Sequence, residues 1–309
     1  VSKSIDDLII GLRAGNRASL ARAITIVENN GPQTGAILKQ IGPSLGSAIV
    51  IGFTGAPGAG KSTLVGAYVK ALRARGKTVG VIAVDPSSPL SGGAVLGDRI
   101  RMSEHASDDD VFIRSLASRG HLGGLSRSAN HVIDVMDAFG KDMIVLETVG
   151  AGQSEVEVAD IADVKVVVCA PGLGDDVQAI KAGILEIADI LVVNKADNPL
   201  AERTAKQLES RTMGNMAKTV PVLKTIALEG EGIDALAEKI ETLALMANTS
   251  GKAKERPRKL LKTTTMEYLA TRLDAPDNQD LDTIAEKLLR GEISFEDAAI
   301  SVLALTSRR

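Results

Sequence analysis

Apolar positions recur with two different periods along this chain, and the change from one to the other divides it into three stretches. Over residues 4–46 the spacing is helical. Ile5, Leu8, Ile9 and Leu12 share one face, Leu20, Ile24 and Val27 another, and Gly31 and Pro32 close the second helix. A third short helix is expected over 34–45. From about 47 to 228 short continuous apolar runs take over, and they predict strands at 48–54, 78–84, 111–114, 143–147, 164–170, 189–194 and 220–225, the third being the weakest. The runs Met143 to Leu146 and Ile190 to Val193 show no polar alternation, as expected of strands covered on both faces. The expected core is α/β, a mostly parallel sheet with helices on both sides and a ligand site beyond the C-terminal strand edges. Residues 233–246 read as its last helix, 248–258 as a Lys-, Gly- and Pro-bearing linker, and 259–274, 279–290 and 294–305 as further helices. The expected organisation is a helical N-terminal extension at 1–46, the α/β domain at 47–247, and a linker with a helical C-terminal extension for dimerisation or docking at 248–309.

Between the first strand and the next helical pattern lie Gly55, Ala56, Pro57, Gly58, Ala59, Gly60, Lys61, Ser62 and Thr63, with the two-glycine, Gly-Lys-Ser spacing of a phosphate-binding loop. Small residues let backbone N–H groups curl around phosphate oxygens, and the helix N-terminus adds favourable partial charge. Lys61 then reaches the terminal phosphates, and the Ser62 hydroxyl can ligate Mg2+. Both flanks fit, so the fold expected here is a P-loop nucleotide-binding core flanked by helical N- and C-terminal extensions.

Other polar residues gather at the ends of the expected strands. Asn194 ends the sixth, and Lys195 and Asp197 come just after it. The Asp197 carboxylate can accept from the ring N–H and exocyclic amine of guanine, a donor pair adenine lacks. Asn194 can brace the neighbouring loops and the ring N7, the Lys195 stem can lie over the purine, and the Ala227 N–H can meet the guanine carbonyl oxygen. Glu147, at the end of the fourth strand, can hold Mg2+ through water while the Gly150 amide senses the γ-phosphate. Asp85 and Asp98 are further candidates for the metal shell. Gln153 either orients the attacking water or faces a partner. Arg114 and Arg119 either steady negative charge or lie on the surface, His121 reads as structural or as a switch contact, and His105 and His131 lie in helix-like sequence.

Composition narrows the partners. Hydrophobic residues make up 44%, charged residues 24%, and the formal net charge is -3, with no long basic run to suggest nucleic acid. Aromatic residues are only 2%, too few for a base-stacking surface. One cysteine, Cys169, sits in an apolar run and reads as buried strand filler in a reducing compartment. Three scattered histidines give no Cys/His zinc or nickel cluster and no Ser-His-Asp arrangement. With neither a signal-peptide pattern nor an 18-residue apolar segment, a cytoplasmic protein off the membrane is expected, a transit peptide ahead of Val1 being compatible with this.

Together the phosphate loop, Asp85-Pro-Ser-Ser, Leu96-Gly-Asp-Arg, Arg119-Gly-His-Leu-Gly-Gly, Glu147-Thr-Val-Gly-Ala-Gly-Gln-Ser-Glu, Asp175-Asp-Val-Gln and Asn194-Lys-Ala-Asp resemble the MeaB/ArgK family (methylmalonic aciduria type A protein-like) of P-loop GTPases. The resemblance implies a P-loop GTPase, slow without its partner, that binds GTP or GDP with Mg2+. It further implies a chaperone of an adenosylcobalamin-dependent acyl-CoA mutase such as methylmalonyl-CoA mutase, gating cofactor delivery and protecting or reactivating the enzyme, commonly as a homodimer. No cobalamin is expected to bind the chain directly. Carried over, Lys61 and Ser62 hold phosphates and metal, Asp85, Asp98 and Glu147 surround Mg2+, and Gln153 belongs to the second switch. Two alternatives stay open: a metallochaperone GTPase for another metalloenzyme, and a P-loop small-molecule kinase.

Overall fold

The computed structural model describes residues 4–86, 103–105, 107–118, 124–148, 161–172, 182–215, 220–249, 261–262, 265–266, 269, 273 and 279–306. The chain forms two compact units, Val1–Ala253 and Lys254–Arg309.

The first unit opens with α1 (Ile5–Arg13), α2 (Arg17–Glu28) and α3 (Thr34–Ile41). Sequence-local chemistry sets their starts. Ser4 Oγ accepts from the Asp7 N–H while the Asp7 carboxylate accepts from the Ser4 N–H, a reciprocal cap, and Asn16 Oδ1 accepts from the Ser19 N–H. The sheet follows with β1 (Ile49–Gly55), α4 (Lys61–Ala74), β2 (Val79–Pro86), β3 (Val111–Ser118), α5 (Gly124–Ala138), β4 (Met143–Thr148) and β5 (Val164–Cys169). It ends with α6 (Ala182–Ile187), β6 (Ile190–Asn194), α7 (Ala201–Asn215), β7 (Val222–Thr225) and α8 (Ile233–Thr249). The seven strands run in the order β3-β2-β4-β1-β5-β6-β7 with every neighbouring pair parallel. All seven expected strands are present. β3 runs twice as far as its apolar residues indicated, because register with β2 from Val79↔Val111 to Pro86↔Ser118 carries the weaker half.

Side-chain alternation divides the core between the two faces of the sheet. Ile51, Phe53, Val145, Val166 and Val192 join Leu64, Tyr68 and Leu72 of α4 and Leu236 and Ile240 of α8. On the opposite face Val50, Ile82, Ile144 and Leu146 meet Leu12, Leu20, Ile24, Val27 and Ile37 of the N-terminal helices and Val132, Ile133 and Met136 of α5. The N-terminal extension is therefore a layer of the core, each fully buried Leu or Ile contributing roughly 1.5–3 kcal/mol. A third cluster sets Val167, Leu191 and Val193 against Ala201, Ala205 and Leu208 of α7, and includes Cys169, which is buried as expected. Asp137, at the end of α5, accepts from the N–H groups of Gly46, Ser47 and Ala48 at 2.6, 3.2 and 2.9 Å and thereby sets where β1 begins.

In the second unit, α9 (Gln279–Leu289) and α10 (Phe295–Thr306) are joined by a short connection. Ser294 caps α10, accepting from the Asp297 N–H and donating to its carboxylate. The scattered described residues from 261 to 273 are helical. No described helix is long and apolar enough to cross a membrane.

Candidate functional site

The parallel sheet brings the ends of β1, β2, β4 and β6 to one edge, with β1 between β4 and β5. At that edge β1 passes into the glycine-rich turn. Gly55 has φ +141°, and a Cβ on it would stand 2.0 Å from the Val168 carbonyl oxygen of β5, so no other residue fits without moving backbone. Gly58 and Gly60 also have positive φ, at +79° and +85°. Gly60 is the N-cap of α4 and supplies no side chain to its first N–H groups, leaving a helix N-terminus suited to an anion.

Lys61 is buried and its Nζ donates to the carbonyls of Gly55 at 2.7 Å and Ala56 at 3.0 Å. This holds the ammonium inside the turn. Ser62 is also buried and its Oγ donates to Glu147 Oε1 at 2.5 Å. The pairing follows from register: Phe53 lies opposite Glu147, so β4 delivers its carboxylate beside the start of α4. A hydroxyl and a carboxylate held together form a hard-oxygen donor pair that fits Mg2+ alongside phosphate and water oxygens. Pro57, Gly58 and Thr63 are exposed around the turn, and Ala59 is buried beneath it.

Asn194 joins the base-side residues to the phosphate-side turn. Its Nδ2 donates to the carbonyls of Ala59 at 3.0 Å and Gly60 at 3.4 Å, while its Oδ1 accepts from Thr225 Oγ1 at 3.1 Å and the Ala227 N–H at 3.2 Å. Gly60 has to be small here too, since a Cβ would lie 2.5 Å from Asn194 Nδ2. Lys195 takes φ +56° and its Nζ donates to the Gly58 carbonyl at 2.9 Å. That left-handed residue ends β6 and turns the chain so that Asp197 stands exposed on the rim, the turn closed by Ala196 N–H to Thr225 O at 3.0 Å.

The structure thus brings Gly55, Gly58, Ala59, Gly60, Lys61, Ser62, Glu147, Asn194, Lys195 and Ala227 into one connected set. It gives the Ala227 amide, expected on a guanine carbonyl oxygen, an acceptor inside the protein. Asp85 lies near the end of β2 at the same edge, opposite Ala117 of β3. Asp98, Gly150, Gln153, Arg119 and His121 lie outside the described residues. Arg114 belongs to neither alternative in full: it is half-buried and paired with Glu28 of α2, joining β3 to the N-terminal layer. Thr225 was missed. Its hydroxyl is buried against Asn194, and its only signal was its place at the end of a strand, a position shared with Thr54 and Thr148, whose hydroxyls meet at 3.4 Å behind the site.

The family model described as "Methylmalonyl Co-A mutase-associated GTPase MeaB" matches residues 20–278. A putative GTPase of Pyrococcus abyssi is 48% identical over 264 residues, 84% of this chain and 82% of that protein. The methylmalonic aciduria type A homolog, mitochondrial, of Mus musculus is 41% identical over 212 residues, covering 63% of this chain and 51% of the mouse protein. Among solved structures, one described as LAO/AO transport system kinase superposes with a TM-score of 0.74 at 29% identity, covering 99% of both chains.

Proposed function

The chain belongs to the MeaB family of methylmalonyl-CoA mutase-associated GTPases, and from that premise we propose that it is a GTP-hydrolysing chaperone of an adenosylcobalamin-dependent acyl-CoA mutase, gating delivery of the cofactor and protecting or reactivating the enzyme. The observation that carries the nucleotide part is the Asn194 bridge. One side chain holds the phosphate-side turn and the base-side loops at once, so a guanine read at Asp197 and phosphates held at Lys61 occupy one rigid frame. The partner part rests on the family.

In this reading the amides from Gly58 to Ser62 and the Lys61 ammonium bind the β- and γ-phosphates, and Asp197 selects guanine. Ser62 would hold Mg2+ directly and Glu147 would hold it through water, with Asp85 and Asp98 as further candidates for its shell. When bound, the metal neutralises phosphate charge as it develops in transfer. The Lys61 ammonium lies among the Gly55 and Ala56 carbonyls at the foot of the turn. Gln153 orients the attacking water once the mutase has set the second switch, so that hydrolysis by the chaperone alone is slow. The functional unit is a homodimer.

Purified protein, alone and with each of several cobalamin-dependent acyl-CoA mutases, tests this by GTP hydrolysis, with ATP as the control and Lys61→Ala as the background. Stimulation by one mutase, for GTP only and lost with Lys61→Ala, is expected. GTP turnover indifferent to every mutase would overturn the chaperone part. A second reading, small-molecule kinase, has one observation behind it, the superposition on the structure described as a transport system kinase. Labelled γ-phosphate arriving on a small acceptor instead of water would select it.

A further inference from the structure

The pairing of β6 with β7 brings two polar side chains together where the candidate site meets the core. Asn194 lies opposite Thr225 at the final step of their register, and both are buried. Thr225 Oγ1 donates to Asn194 Oδ1 at 3.1 Å, and the Ala227 N–H donates to the same oxygen at 3.2 Å. These two donors fill the oxygen's two lone pairs and fix which way the amide faces. A flipped Asn194 would set its N–H groups against the Ala227 N–H, and its oxygen against the Ala59 and Gly60 carbonyls. On the nitrogen side, the Ala59 carbonyl takes one N–H at 3.0 Å. The Gly60 carbonyl lies at 3.4 Å, beyond the usual range, so the second N–H is only weakly engaged. Thr225 is itself held firmly. Its carbonyl accepts from the Ala196 N–H at 3.0 Å, and the chain beyond it is closed by Ile226 N–H to Glu231 O, also at 3.0 Å. Gly232 packs so close to the end of β7 that a Cβ there would stand 2.2 Å from the Lys224 carbonyl oxygen. A β-branched side chain is stiff at χ1, so the hydroxyl meets Asn194 from a fixed position.

We infer that Thr225 is a positioning residue for the purine: its hydroxyl holds the Asn194 amide so that the weakly engaged N–H is ready to donate to the ring N7. The inference rests on the proposed reading that this edge binds a guanine nucleotide. N7 is an acceptor in guanine and adenine alike, so the contact adds affinity for a purine, while the choice of base stays with Asp197. Valine at 225 would keep the shape of threonine and lose the donor. Asn194 Oδ1 would then have the Ala227 N–H alone, the amide would gain freedom to turn, and its N–H would no longer be held ready. Serine would keep the donor and restore the arrangement.

The test measures binding of GDP, 7-deaza-GDP and ADP by calorimetry, with thermal unfolding alongside, for the wild-type full chain and three variants. Thr225→Val and Thr225→Ala lack the donor; Thr225→Ser keeps it. 7-Deaza-GDP carries a C–H in place of N7 and cannot accept. The wild type is expected to bind GDP about tenfold more tightly than 7-deaza-GDP, the worth of roughly one hydrogen bond. In the two variants without the donor this ratio is expected to fall to within about threefold, through weaker binding of GDP, while Thr225→Ser keeps the wild-type ratio. The ratio is read within one protein, so a smaller folded fraction does not alter it. A ratio unchanged in Thr225→Val and Thr225→Ala overturns the inference, and so does a wild type that binds GDP and 7-deaza-GDP equally. Equal losses of both nucleotides with a lowered unfolding temperature would show Thr225 to be structural only. A wild type that binds GDP and ADP alike overturns the guanine reading instead, and the 7-deaza ratio still decides the role of Thr225.

Discussion

At the scale of single residues, Asn194 carries more of the site than any other side chain. Its amide makes two donations to carbonyls of the phosphate-side turn and accepts twice, from Thr225 at the end of β7 and from Ala227 just beyond it. Asn194→Ala leaves the buried Thr225 hydroxyl and the Ala227 N–H without their acceptor, and is expected to cost about 2–4 kcal/mol in denaturant unfolding and to weaken GTP binding in calorimetry. Asp197 is different, since it stands exposed on the rim and its loss threatens no packing. Asp197→Asn replaces a pure acceptor with a donor and an acceptor, which matches the N–H and carbonyl of xanthine. Competition binding is expected to show preference moving from GTP to XTP by roughly a hundredfold, the worth of about two hydrogen bonds. The gathering of Lys61, Ser62 and Asn194 at one edge was legible because each belongs to a short motif at the end of an expected strand. Thr225 was not, because a buried threonine at a strand end looks the same whether it braces a site or only fills the core.

At the scale of elements, α4 links the nucleotide edge to the foot of the sheet. It begins at the phosphate-side turn, and its last turn places Arg73 on Asp108 and Asp110. The Arg73 guanidinium holds the Asp108 carboxyl below its usual range, chiefly through their hydrogen bond. A carboxyl with a depressed folded value adds stability that is fully present above its unfolded pKa of about 3.9 and is lost as pH falls through the folded value. Wild-type stability is therefore expected to fall more steeply than that of Asp108→Asn as pH drops below about 4, as read by unfolding curves across the acid range. The helices and strands themselves were largely visible as periodicity. The length of β3 was not, for its second half is held by the β2 ladder and not by its own apolar residues.

At the scale of the whole molecule, every described residue of the candidate site lies in the unit Val1–Ala253. Removing residues 254–309 is expected to leave GTP affinity, measured by calorimetry, within about threefold of the full chain, as for independent sites. Among the apolar side chains of the second unit, Leu289 and Phe295 are exposed by 86% and 81%. What the sequence determined by itself is what depends on neighbours along the chain. The turn from Gly55 to Ser62 needs glycines at left-handed positions, the caps at Ser4 and Asn16 act within one helical turn, and the strands announce two-sided burial by continuous apolar runs. Tertiary structure alone decided what depends on contacts between distant segments. Only parallel register places Glu147 on Ser62, 85 residues earlier, and only closure of the sheet edge sets Asn194 between Ala59 and Ala227. The N-terminal helices read as an extension that either covers one side of the sheet or holds a partner, and the contacts with Val50, Ile144 and Leu146 show the first, since amphipathic spacing shows that a face will be buried but not what will bury it.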